Sequence, residues 1–81
     1  MPKYEIAIEY KSANVSRPVL HQTVGAAVHT RPEIDEVIVR CARATRTAHQ
    51  AARDYNNRAA ALKNRKGRNV RVTLAIGPVE R

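Results

Sequence analysis

Small or apolar residues recur at strictly alternating spacings of four and three through Ile34, Ile38, Cys41, Thr45, Ala48, Ala52, Tyr55, Ala59 and Leu62. A run of this length predicts one long helix with a single packing seam. At about 1.5 Å per residue, a helix over 31–62 would be roughly 45 Å long. A compact chain of this size has a radius of gyration of only about 12 Å. Such a helix outruns its own domain, which predicts a part that packs against other chains.

The 81 residues fit one small domain, 1–81, with no room for a second core. With a single cysteine no intrachain disulfide can form, and no spaced Cys/His cluster suggests a structural metal. Oligomerisation is the remaining ordinary route to extra stability. Cys41 reads as a small buried residue in a reducing compartment. Three tyrosines, with no Phe and no Trp, leave a thin core of Ile, Val, Leu and Ala, which again favours burial against partners. No apolar run approaches the 18 or so residues needed to span a bilayer, and Met1-Pro2-Lys3 opens no signal-peptide core. The expectation is a cytoplasmic protein without a membrane partner.

Residues 3–10 alternate, with Tyr4, Ile6, Ile8 and Tyr10 on one face, and predict a half-buried strand. Residues 70–76 repeat the pattern with Val70, Val72, Leu74 and Ile76, before Gly77-Pro78 stops it. Between them a first helix is expected over 17–28, with Ser16 as N-cap and Pro18 in the first turn. Thr30-Arg31-Pro32-Glu33 has the form of a capping box opening the long helix over 31–62. That helix either runs unbroken or breaks at Asn56-Asn57, leaving 58–69 as a basic arm. The fold class expected is therefore α+β, strand-helix-helix-strand, with the long helix on a small antiparallel sheet. Two strands make a marginal sheet, so neighbouring subunits are expected to complete it. No internal repeat is evident.

The net charge of +8 comes from one half of the chain. Arg40, Arg43, Arg46, Arg53, Arg58, Lys63, Arg65, Lys66, Arg68 and Arg71 face the single acid Asp54 in that stretch. On a continuous helix, Arg40, Arg43, Arg46 and Arg53 lie opposite the seam, forming a basic ridge that continues into the arm. This pattern suits phosphate contact with counterion release, or acidic surfaces of protein neighbours. Tyr55 alone is interleaved among these arginines in sequence, so no stacking platform for single strands is expected.

His21, His29 and His49 are scattered and match no metal motif. Glu33, Asp35 and Glu36 suit the first turn of the expected long helix. The three glycines form no phosphate loop, and Ser12 and Ser16 lie in no nucleophile elbow. The residues therefore predict no catalytic site, no cofactor, no metal and no small-molecule substrate.

The Pro32-Glu33 opening, the Ala- and Arg-rich stretch through Arg43-Ala44-Thr45 and Ala51-Ala52-Arg53, and the closing segment from Val70 to Gly77 resemble the small neck or tail-completion proteins of long-tailed bacteriophages. The resemblance covers about residues 31–79. It implies a virion component at the head-tail joint, assembled in the host cytoplasm, with copies packing side by side into a ring beside other structural subunits. The leading expectation is thus a non-enzymatic structural subunit with its basic face toward DNA or acidic neighbours. The alternative is a free-standing basic module that contacts nucleic-acid backbone without sequence preference.

Overall fold

A computed structural model describes residues 3–77. Strands and helices alternate: β1 (Ile6–Lys11), α1 (Arg17–Thr30), β2 (Glu36–Cys41), α2 (Arg46–Asn56), a short 3-10 turn (Arg58–Ala60) and β3 (Arg71–Ile76). The three strands form one sheet in the order β1-β2-β3, parallel throughout. Two successive crossovers in the same direction place both helices on one face when each takes the usual right hand. The core agrees: Leu20, Val24 and Ala27 of α1 and Ala48, Ala51 and Ala52 of α2 pack against Ala7, Val37, Val39, Cys41 and Val72 of the strands. Among the described residues, no layer covers the opposite face of the sheet. The domain is accordingly thin, measuring 35 × 29 × 17 Å.

The long helix over 31–62 does not exist, and the antiparallel sheet falls with it. Residues 36–41 are the central strand. Val37-Ile38-Val39 is a run of β-branched side chains, which favour the pleated sheet and lose rotamer freedom in a helix. β2 is buried on one face, with Val37, Val39 and Cys41 inward, but Ile38 on its other face is also apolar, so the alternation is masked in sequence and a helical spacing can be threaded through it. The 4-3 series therefore joins two unrelated elements. Ile34, in the turn before β2, and Cys41, at its end, enter the core, while Ile38 points to the uncovered face. Only Ala48, Ala52 and Tyr55 form a helix seam, and Ala59 and Leu62 lie beyond α2. With a strand between the helices, each crossover returns parallel.

The capping box is likewise a helix end. Thr30 is the last residue of α1, and the Arg31 N–H donates to Ala27 O at 2.9 Å. The true start of α2 is Thr45, whose hydroxyl accepts from the Ala48 N–H at 3.1 Å. Ser16 caps α1 as expected, accepting from Val19 N–H, with Pro18 in the first turn. The two βα units end alike. Val15 N–H donates to Arg43 O and Thr45 N–H to Val15 O, tying the two strand-to-helix loops together.

The basic stretch 58–69 is no free arm. Val70 N–H donates to Leu62 O at 2.7 Å, Lys63 bridges Asn69, and Gly67 turns the loop at φ 78°, a conformation that glycine adopts without strain. The loop is tied to the body by Asn64, which is 7% exposed and donates to Ile34 O and to Asp35.

Candidate functional site

The strand register fixes the uncovered face as three rows: Ile6-Glu36-Arg71, Ile8-Ile38-Thr73 and Tyr10-Arg40-Ala75. Tyr4 extends the first strand's column. The alternation of β1 thus turns its large residues outward and Ala7 inward. Tyr4, Ile6, Ile8 and Tyr10 are 45–54% exposed, whereas the sequence reading buries them. Inside, Ala7 joins a buried cluster that also holds Leu20, Val24 and Ala27 of α1.

The face has its own order. The Tyr4 hydroxyl donates to Glu36 Oε1 at 2.9 Å, and the Thr73 hydroxyl donates to Glu36 Oε2 at 3.3 Å. Partial burial, and then this bond to Glu36, push the Tyr4 phenol above its usual range, so it stays protonated as the donor. The Arg40 guanidinium lies 6.0 Å from the centre of the Tyr10 ring, at cation-π distance. Arg71 completes a face on which two guanidinium groups and one carboxylate sit among apolar and aromatic residues. Such a surface can bury against protein, or receive stacked bases and phosphates.

The basic residues singled out in sequence do not form one ridge. Arg40 and Arg71 are on the uncovered face, Arg43 is in the loop after β2, and Arg46 and Arg53 are exposed on α2. Arg58 lies in the 3-10 turn, and Lys63, Arg65, Lys66 and Arg68 are in the folded loop before β3. Two of these are engaged by Asp35, a residue the sequence placed in a helix. Asp35 is 2% exposed; its carboxylate accepts from Lys66 Nζ at 2.7 Å, Asn64 Nδ2 at 3.0 Å and the Glu5 N–H at 2.9 Å, and lies 3.9 Å from Arg68. The bond from Lys66 and the Glu5 amide hold its carboxyl below the usual carboxylate range. No sequence signal links position 35 to 64, 66 and 68, because the contact is made only when β2 and the loop meet.

Other clusters are weaker. His21 Nδ1 is 2.5 Å from the Tyr55 hydroxyl, with the rings edge to face. His29 and His49 are exposed. Among the described residues no group of three or more His, Cys, Asp or Glu side chains is placed to hold a metal ion. Cys41 is fully buried, and that burial raises its thiol pKa, as expected of an inert core cysteine. No helix of the structure is long and apolar enough to cross a membrane. Comparisons with protein-family models, curated proteins and solved structures gave no match.

Proposed function

We propose that this protein is a structural subunit of a larger assembly, without an active site, and that it buries its uncovered sheet face against a neighbouring copy. The observation that carries this reading is the outward column Tyr4, Ile6, Ile8 and Tyr10 on an all-parallel sheet. Parallel sheets are almost always covered on both faces, and a contiguous exposed apolar patch marks an interaction surface. The exposed arginines of α2 and the loop before β3 then remain on the opposite side and around the rim, where they suit DNA or acidic neighbours. The phage head-tail joint is the setting that the sequence resemblance suggests. Of the features behind that resemblance the closing strand stands as β3, and the long helix is replaced by β2 and α2. The test is the mass of the purified chain in solution at low and high salt. A discrete oligomer that persists in high salt supports the reading, since apolar burial is not screened. A monomer under all conditions contradicts it.

A second reading has a specific observation in its favour: the sheet places Tyr10 against Arg40, an aromatic-arginine pairing that the linear sequence hides. A free-standing module of this kind would stack bases of a single strand on Tyr10 and Tyr4 and take phosphates on Arg40 and Arg71. Under this reading, binding of a single-stranded oligonucleotide falls steeply with salt and weakens on Tyr10→Ala by about 1–3 kcal/mol. Binding that Tyr10→Ala leaves untouched removes the face from nucleic-acid contact.

A further inference from the structure

We propose that β1 pairs edge to edge with β1 of a second copy, antiparallel about a two-fold axis at Ile8, so that two chains share one continuous sheet. This rests on the edge of β1 and not on the burial of the face, so the two readings can fail separately.

The two edges of the sheet are unequal. Glu36 N–H donates to Glu5 O in the register where Ile6 faces Glu36. In a parallel ladder, Ala7, Glu9 and Lys11 therefore bond β2, while Ile6, Ile8 and Tyr10 direct their N–H and C=O groups outward. Among the described residues no hydrogen bond from outside the sheet reaches these groups. On β3 the outward groups of Val72 are taken by the Asn56 side chain, which donates to Val72 O at 2.9 Å and accepts from Val72 N–H at 3.0 Å. Val70 N–H is taken by Leu62 O. The described residues cover the start of one edge and leave the other bare, and a bare edge is a template for another strand.

The side chains of β1 select the occupant and its register. With Ile8 opposite Ile8 of the second copy, Ile6 faces Tyr10 and Glu5 faces Lys11, twice by symmetry, and Ala7 faces Glu9. Opposite charges and an aliphatic-aromatic pair then meet across the strands. Shifting the axis to Ala7 sets Glu5 against Glu9 and Lys3 against Lys11; shifting it to Glu9 sets Glu9 against itself. An axis at Ile6 brings Lys3 to Glu9 but sets Tyr10 opposite Pro2, a residue with no N–H to give to the ladder. The axis at Ile8 pairs the whole of Ile6–Lys11 without like charges and without a proline.

The helix layer accommodates this. A groove of about 210 Å³ beside the bare edge is lined by Ala7, Ile8 and Glu9, by Ala26, Ala27 and Thr30 of α1, and by Arg31, whose guanidinium is held 3.5 Å from the Glu5 carboxylate. With strands about 4.8 Å apart and α1 above the β1-β2 pair, the two α1 helices lie about 10 Å apart. The small Ala26 and Thr30 side chains fit that approach. Pairing also enlarges the uncovered face. Three strands of six residues cover a footprint of about 300 Å², well short of the roughly 800 Å² per partner of a standard interface. The paired sheet doubles it, with Ile6, Ile8 and Tyr10 of both copies forming one central strip.

The experiment is oxidative cross-linking of the full chain carrying Ile8→Cys or Ile6→Cys, alongside sedimentation of Ile8→Pro. Directly opposed residues in an antiparallel pair have Cα atoms about 4.5–5.5 Å apart, within disulfide reach, whereas position 6 lies several residues from its own copy. The expected result is rapid dimer formation by Ile8→Cys and little by Ile6→Cys. Ile8→Pro removes only an outward N–H of an edge strand and should weaken self-association about tenfold or more while the chain stays folded. Equal cross-linking at both positions, faster cross-linking at position 6, or none at either overturns the proposal. An oligomer unaffected by Ile8→Pro also overturns it and leaves burial of the face as the route of assembly.

Discussion

Lys66 and Asp35 form a tight ion pair at the foot of the sheet, Nζ to Oδ2 2.7 Å, with side chains only 13% and 2% exposed. The pair joins the loop before β3 to the start of β2, and the Glu5 amide on the same carboxylate brings in the start of β1. One acidic group thus aligns the N-terminal ends of strands that are far apart in sequence.

Acid should therefore unfold the protein through Asp35. Its carboxyl is held below its ordinary value of 3.8 in the folded state, first by Lys66. A group depressed on folding stabilises the native state above its unfolded pKa, and that stabilisation fades as pH falls through the folded value. Thermal melts should show a fall in Tm setting in below about pH 4, and the dependence should be blunted in Asp35→Asn. Lys66→Met should lower Tm at neutral pH, because it leaves a buried carboxylate without its cation.

Asn56→Ala should destabilise the fold by about 1–3 kcal/mol, since it leaves the N–H and C=O of the buried Val72 without their partner. Amide exchange should read the same change locally, with protection lost at Val72 before the centre of β2.

The two faces of the sheet should respond in opposite ways to truncation. Leu20→Ala opens a hole in a fully buried site and should lower stability by about 2–5 kcal/mol. Ile8→Ala, on the uncovered face, should change the monomer by less than about 0.5 kcal/mol. Urea melts at low protein concentration measure both.

Thr45→Ala should remove the cap of α2 and reduce stability by about 1 kcal/mol. A substitution inside a continuous helix would not behave in this way, because Ala is the better helix former.

These contrasts show what could be seen in the chain beforehand. Ser16, Pro18 and the stripe Leu20, Val24 and Ala27 located α1, and the alternation over 70–76 located β3, because both signals are local. Ile34, Ile38 and Cys41 misled because β2 carries apolar Ile38 on its uncovered face between the buried Val37 and Val39, which hides the alternation and let these residues fall into step with the real seam at Ala48, Ala52 and Tyr55. The alternation of β1 revealed a strand but not its inner face, because the side the helices cover is set by the crossovers and not by the strand's own pattern. The Tyr10-Arg40 pair depends on the register of two strands separated by a helix, and the Asp35 cluster on a loop folding back. Neither leaves a mark in the linear order.

The uncovered face is tested most directly by placing a charge at its centre. Ile38 lies on the middle strand, away from both edges, so Ile38→Lys blocks burial of the face without touching edge pairing. Light scattering of the wild type and of Ile38→Lys, over a range of concentrations at low and high salt, should show an oligomer for the first and a smaller species for the second, with monomer stability within about 1 kcal/mol of the wild type. The same mass for both chains under every condition would contradict burial of this face in the assembly.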